Sequence, residues 1–154
     1  MPSFLFVCTG NICRSPLAEA AMRAEAKRRK LDVEIDSAGT GAWHLAHPPD
    51  RRARKIAKKH GLNIDSYRAR LVTKEDFTRF DYILALDESH FYYLRELAPA
   101  HTRDKITLLL DHVPGREGEE VLDPYYGTEA DFDVTWTDVQ EACAHLATKT
   151  LDRP

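Results

Sequence analysis

Two side chains suited to nucleophilic chemistry on an anion frame one short segment, Cys8-Thr9-Gly10-Asn11-Ile12-Cys13-Arg14-Ser15. A cysteine thiolate attacks electrophilic centres such as phosphorus. An arginine offers a planar fork of donors that matches phosphate oxygens. Gly10 and Asn11 tolerate backbone angles that let a loop curl on itself and turn its N–H groups inward as a nest for an anion. Donors that hold a tetrahedral dianion also stabilise a thiolate at Cys8. The bare spacing is common by chance, and a buried structural cysteine beside a solvated arginine would explain it equally. A second candidate is Asp123 in Asp123-Pro124-Tyr125-Tyr126-Gly127. A carboxylate on a mobile loop can pass a proton to a leaving oxygen, although Asp-Pro is also an ordinary turn pair.

The elements around the first segment separate its two readings. Residues 3–8 form a short apolar run that reads as a buried strand ending on Cys8. Ser15-Pro16 reads as a helix start, with Ser15 as N-cap and Pro16 at the first helical position, and residues 17–30 are rich in strong helix formers. Strand, tight loop and helix N-terminus together make an anion cradle, because the first N–H groups of a helix are unpaired and carry the positive end of its dipole. Further strands are expected at 33–38, 82–86 and 105–110, and helices at 51–60, 74–80, 88–98 and 129–151, with a long Gly- and Pro-containing loop over 113–127. This alternation predicts an α/β fold: a single domain over 1–154 with a four-stranded parallel sheet and helices on both faces. Ligands of such sheets bind beyond the carboxyl ends of the strands, which is where Cys8 falls.

Composition narrows the classes of function. The formal net charge of −3 argues against a nucleic-acid binder that relies on bulk charge. No apolar run approaches the roughly 20 residues that span a bilayer, and the first residues do not resemble a signal peptide, so a cytoplasmic location and no membrane partner are expected. The three cysteines are an odd number and do not read as a secreted disulfide framework. Their spacing is not that of a zinc knuckle. Neither a metal nor an organic cofactor is expected.

The run 7–20, VCTGNICRSPLAEA, resembles the signature of the low-molecular-weight protein tyrosine phosphatases nearly residue for residue. The likeness continues through Asp36-Ser37-Ala38-Gly39, Trp43, Pro49-Asp50, the stretch 72–89 (VTKEDFTRFDYILALDES) and Asp123 to Gly127. It implies a Rossmann-like fold of the phosphotyrosine phosphatase I type. It also implies hydrolysis of phosphotyrosine or aryl phosphate monoesters through a phosphocysteine on Cys8. Arg14 would then be the phosphate clamp and Asp123 the general acid and base. The resemblance groups Thr9, Gly10, Asn11, Ile12, Cys13 and Ser15 with the phosphate-binding residues. Asn11 and Ser15 would hold the loop, and Ser15 would also hydrogen-bond the thiolate. Trp43 and Tyr125 would wall a slot for a phenyl ring, and Ser37, Asp87, Ser89 and Tyr126 would play supporting parts. Cys13 would form a reversible disulfide with Cys8 on oxidation, whereas Cys143 is expected in the core. The expected partner is a phosphotyrosine-containing protein or an aryl phosphate, met by a monomer that at most self-associates weakly.

One position departs from the family pattern: Tyr67 stands where a histidine often supports the loop asparagine, so that contact must be remade or is absent. Two other activities occur on related scaffolds. Thiol-dependent arsenate reductases relay electrons through a further cysteine pair, and only Cys143 remains here beyond the loop. Protein-arginine phosphatases carry Thr at the position of Ile12, whereas Ile12 offers an apolar contact to a phenyl ring.

Overall fold

The computed structural model describes residues 1–151. Strand β1 (Ser3–Cys8) is buried along its whole length. Its alternation sends Phe4, Phe6 and Cys8 to one face of the sheet and Leu5 and Val7 to the other, into two separate cores. Strands β2 (Glu34–Gly39), β3 (Tyr82–Ala85) and β4 (Ile106–Leu108) complete a four-stranded parallel sheet of order β2-β1-β3-β4. Helices α1 (Arg14–Arg28), α2 (Arg51–Lys59) and α5 (Glu129–Leu151) cover the Phe4 face, packing Leu17, Met22, Ile56, Val139 and Leu146 into it. The short α3 (Asp76–Arg79) and α4 (Glu88–Leu97) lie with the Leu5 face, to which Phe77 and Leu94 contribute. The predicted four-stranded, doubly covered α/β architecture is therefore what forms.

The order of the strands decides where a ligand can bind. From β1 the chain crosses by α1 to β2 on one side, while β3 crosses by α4 to β4 on the other. The switch point lies between the carboxyl ends of β1 and β3, where a crevice must open. The segments that meet there begin with Thr9 and Asp87.

Two local expectations change. Ser15 is not the cap of α1: the helix starts at Arg14, Cys13 occupies the cap position without a side-chain hydrogen bond, and Pro16 is the third helical residue. The Ser15 hydroxyl is engaged elsewhere, with Cys8 and Asn11. The fourth strand shrinks to Ile106–Leu108 between two 3-10 turns, Ala100–Lys105 and Leu109–His112. Asp111 Oδ2 accepts the Leu108 N–H at 3.2 Å and turns the chain out of the sheet. The two threonines near the start of α5 do not interrupt it: Thr135 is buried, and Thr137 returns its hydroxyl to the Asp133 carbonyl at 3.0 Å.

Gly39, paired with Cys8 across β1 and β2, lies directly beneath the loop. A Cβ there would stand 2.7 Å from the Thr9 carbonyl oxygen and 3.3 Å from the Asn11 nitrogen, and backbone cannot step aside as a flexible side chain can. Gly39→Ala is expected to destabilise the fold by about 1–3 kcal/mol and to weaken phosphate binding, read by urea unfolding and by phosphate titration. A variant with wild-type stability and affinity would show that the loop has slack at this point.

Candidate active site

The loop after β1 curls back on itself. Among the described residues, the N–H groups from Gly10 through Arg14 and Ser15 find no protein acceptor. They are turned away from the loop's own carbonyls because Asn11 takes a left-handed conformation, φ 58°, which bends the chain back. The Asn11 side chain holds that bend. Its Oδ1 accepts the Arg70 N–H at 3.0 Å, and its Nδ2 donates to Ser15 Oγ at 2.8 Å and to Ser37 Oγ at 3.0 Å. Arg70 is fixed in turn by Asp36 and by both oxygens of Asp76, each at 3.0 Å. Ser37 Oγ donates its hydroxyl to Glu19 Oε1 at 2.7 Å, and Arg23 pairs with the other Glu19 oxygen at 2.8 Å. Burial pushes the Glu19 carboxyl up, against the opposing pull of Ser37 and Arg23. The loop asparagine is thus held by Arg70, Ser15 and Ser37 with Glu19 behind. Tyr67 lies partly buried beside this network, its phenol pushed up to about 12 by burial and then by the Glu19 charge.

Ser15 Oγ accepts from Asn11 and lies 3.0 Å from Cys8 Sγ, so its own proton is free to be donated to the sulfur. This hydrogen bond suits a sulfur that carries negative charge. Cys13, also buried, is different: burial, then the charges of Asp50, Cys8 and Asp123, push its thiol up and keep it protonated. Cys143 is a core residue of α5 whose thiol donates to the Ala18 carbonyl at 3.5 Å.

Arg14 is 3% exposed and rigidly held. Its Nη1 donates to Asp87 Oδ2 at 2.9 Å and to the Val121 carbonyl at 2.8 Å. Its Nη2 faces Asp123 Oδ2 at 3.6 Å, close enough for charge attraction but open to a better acceptor. Asp87 opens α4 with a capping box. Its Oδ1 accepts the His90 N–H at 3.2 Å, and His90 Nδ1 accepts the Asp87 N–H at 3.2 Å. Burial pushes the Asp87 carboxyl up, but Ser89 at 2.5 Å, His90 and Arg14 together outweigh it and hold the group below the usual carboxylate range. His90, 1% exposed, is pushed down to about 4 by burial. Its Nε2 lies 2.8 Å from Thr9 Oγ1.

These groups border a cleft of about 450 Å³ lined by Cys8, Thr9, Gly10, Ile12, Cys13, Arg14 and Asp123, with Trp43, His44, Tyr125 and Tyr126 as walls. Asp123 stands on the 113–127 loop, half-exposed, with Oδ1 accepting the Tyr125 N–H at 3.1 Å. Arg52 ties that loop to α2 by donating to the Tyr125 carbonyl at 2.7 Å and the Gly127 carbonyl at 3.1 Å. Asp50 caps α2 through the Arg52 N–H, and its own N–H donates to the Ile12 carbonyl at 2.8 Å. Among the described residues no cluster of three or more His, Cys, Asp or Glu side chains is arranged to hold a metal ion.

Most of the residues singled out in the sequence converge here. Asn11, Ser15 and Ser37 lie behind the loop rather than in the cleft, and Asp87 and Ser89 sit beside Arg14. Tyr126, expected among the supporting residues, is a wall of the cleft and is 95% exposed. Glu19, His44, Arg52, Arg70, His90 and the Val121 carbonyl were not foreseen. Only His90 had a readable signal, its capping-box distance from Asp87.

The profile of the family described as low molecular weight phosphotyrosine protein phosphatase matches residues 3–154. The chain belongs to this family. A low molecular weight protein-tyrosine-phosphatase of Bacillus subtilis, YfkJ, is 42% identical over 128 residues, 82% of each chain. A protein tyrosine phosphatase of Entamoeba histolytica, solved with Hepes in its active site, superposes with a TM-score of 0.92 at 39% identity, over 97% of this chain and 96% of that one. YwlE, an arginine phosphatase solved as a Cys-to-Ser mutant with a phosphorylated serine, superposes with a TM-score of 0.88 at 29% identity, over 98% and 97%. Membership makes the chain a phosphoric monoester hydrolase.

The capping histidine makes stability depend on pH. An unfolded histidine titrates near 6.5, whereas His90 in the fold titrates at about 4, so between these values the unfolded chain binds the extra proton. Stability is then complete above pH 6.5 and falls as the pH drops toward 4, by about 3 kcal/mol from this residue. His90→Gln should remove that component. Urea unfolding at pH 6.5 and 4.5 should show a smaller loss in the variant, and equal losses would mean that His90 does not stay neutral in the fold.

Proposed function

We propose that the chain hydrolyses phosphotyrosine in proteins, and aryl phosphates generally, through a phosphocysteine on Cys8. The observation that carries this reading is the convergence on one cleft of a thiol, a ring of unpaired N–H groups, a fixed guanidinium and a facing carboxylate. The phosphate dianion fills the loop, and the free side of the Arg14 fork turns from Asp123 to the phosphate oxygens. The Cys8 thiolate attacks phosphorus. The phosphorus–oxygen bond to the leaving group breaks, and its electron pair stays on the leaving oxygen, which takes a proton from Asp123. Water then attacks the phosphocysteine, Asp123 takes its proton, and the thiolate departs toward the Ser15 hydroxyl. The products are a phenol and inorganic phosphate.

The walls support an aromatic substrate. Tyr125 and Tyr126 meet edge-on at 4.9 Å, Trp43 is 73% exposed at the rim, and Ile12 adds an apolar contact. Phosphoarginine fits less well, because Ile12 gives a guanidinium no acceptor. Arsenate reduction lacks a second cysteine pair, since Cys143 is enclosed in the core. Three free thiols suit a reducing compartment such as the cytoplasm. A peroxide would oxidise Cys8 to a sulfenic acid, the neighbouring Cys13 thiol would displace water from it to form a disulfide, and an external thiol would reduce that disulfide again.

The test of substrate class is a comparison of kcat/KM for phosphotyrosine, phosphoserine and phosphoarginine peptides, with Cys8→Ser as the inactive control and arsenate as a further substrate. Phosphotyrosine should lead by at least roughly a hundredfold, the scale of a few kcal/mol of differential transition-state binding. A lead for phosphoarginine would overturn the aryl reading.

The acid is tested by leaving-group chemistry. A tyrosine leaving group has a pKa of about 10 and needs the proton, whereas a nitrophenol leaves readily without it. Asp123→Asn should slow the pre-steady-state burst strongly for phosphotyrosine and much less for nitrophenyl phosphate. Equal slowing would move the search for the acid to Glu119 and Glu120 of the same loop.

A further inference from the structure

We propose that His90 is a positioning residue for the phosphate site: its Nε2–H donates to Thr9 Oγ1, and the Thr9 hydroxyl proton is thereby turned into the cleft as a further donor to phosphate. The inference rests on the phosphatase reading and assigns a part to two residues that the mechanism above does not use.

The tautomer follows from the contacts. His90 Nδ1 is 3.2 Å from both the Asp87 nitrogen and Asp87 Oδ1, but only the backbone N–H is aligned to hydrogen-bond with it, and an N–H can only donate, so Nδ1 bears the lone pair. A neutral imidazole has one N–H, which must then be on Nε2. That atom is 2.8 Å from Thr9 Oγ1, and the hydroxyl is therefore the acceptor. For the hydroxyl to donate instead, the ring proton would have to sit on Nδ1, where it would face the Asp87 N–H. The ring is 1% exposed and cannot exchange this partner for solvent.

The Thr9 proton is then unassigned. Among the described residues Thr9 Oγ1 has no other partner, while Thr9 lines the cleft together with Cys8 and Arg14. An oxyanion in the loop is the acceptor that completes the chain from the Asp87 N–H through His90 and Thr9. The same Asp87 holds Arg14 at 2.9 Å. The first turn of α4 thus orients donors on two sides of the loop, one through a carboxylate and one through an imidazole. A purely structural cap would need only Nδ1, yet the far nitrogen of the ring reaches the loop.

Side-chain length separates the two ends of the ring. Asparagine at position 90 can keep the acceptor for the Asp87 N–H but is too short to reach Thr9, whereas glutamine can extend an N–H toward it. The experiment measures inorganic phosphate affinity by calorimetry, kcat/KM for an aryl phosphate, and melting temperature for Thr9→Val, Thr9→Ser, His90→Asn, His90→Gln and the Thr9→Val/His90→Asn double variant. Thr9→Val and His90→Asn should each weaken phosphate binding and lower kcat/KM by roughly ten- to a hundredfold, the scale of one hydrogen bond to a charged group. The double variant should be no worse than either single one, because both remove the same donor. Thr9→Ser and His90→Gln should recover most of the loss. Additive losses in the double variant, a His90→Gln as impaired as His90→Asn, or a His90→Asn that lowers only the melting temperature would each overturn the proposal. Phosphate affinity is read without turnover. A wild type that binds phosphate with the expected pattern but does not hydrolyse aryl phosphate would overturn the phosphatase reading and leave this one standing.

Discussion

The loop between β1 and α1 keeps its own N–H groups unpaired, and everything else in the site follows from how that is sustained. Unpaired backbone donors are costly unless an acceptor is at hand, so the loop is pulled toward collapse onto itself. The left-handed Asn11 prevents this. A non-glycine residue in such a conformation costs about 1–3 kcal/mol. Its amide makes three hydrogen bonds, each contributing about 0.5–1.5 kcal/mol, so the partners behind the loop can offset the strain. The loop is thus shaped from outside, by Ser37 on β2, by Ser15 on α1 and by Arg70, rather than by contacts within itself.

Arg14 poses the opposite problem. Its guanidinium is almost wholly buried, and desolvating a cation costs several kcal/mol unless partners replace the water. Asp87 and the Val121 carbonyl do so, and both engage the same nitrogen, Nη1. The remainder of the fork is therefore aimed before a ligand arrives, and little reorganisation is needed when negative charge develops there. This depends on the strand order. Asp87 follows β3 and Arg14 follows β1, and these strands are neighbours at the point where the connections diverge.

What was legible in the sequence was local. The apolar run ending at Cys8, the Gly-Asn loop and the Ala- and Glu-rich helix after it lie within a few residues of one another, and their periodicities gave the sheet and helices to within a few residues. The candidate nucleophile, clamp and acid could be named for the same reason, helped by family resemblance. The supports could not. Glu19, Arg70 and the Val121 carbonyl reach the loop only through the packed fold, and a main-chain carbonyl carries no residue-type signal at all. The substitution at Tyr67 pointed to a changed support without showing which groups would supply it, namely Arg70, Ser15 and Ser37. The fourth strand was overextended because its apolar run continues through Leu109 and Leu110, which are buried in a 3-10 turn rather than in the sheet.

The misreading of Ser15 is of another kind. Ser-Pro at a helix start is a sound local signal, since a serine cap contributes about 1 kcal/mol by satisfying an orphan N–H. Here the hydroxyl is drawn instead to Cys8 and Asn11, and α1 begins without a side-chain cap. A cap would have occupied one of the donors that the anion needs. It would also have drawn the hydroxyl away from the Cys8 sulfur. The local rule fails because an unsatisfied helix N-terminus and an anion are complementary: on the proposed function, the stability forgone in the free protein is recovered as affinity when a phosphate dianion fills the loop.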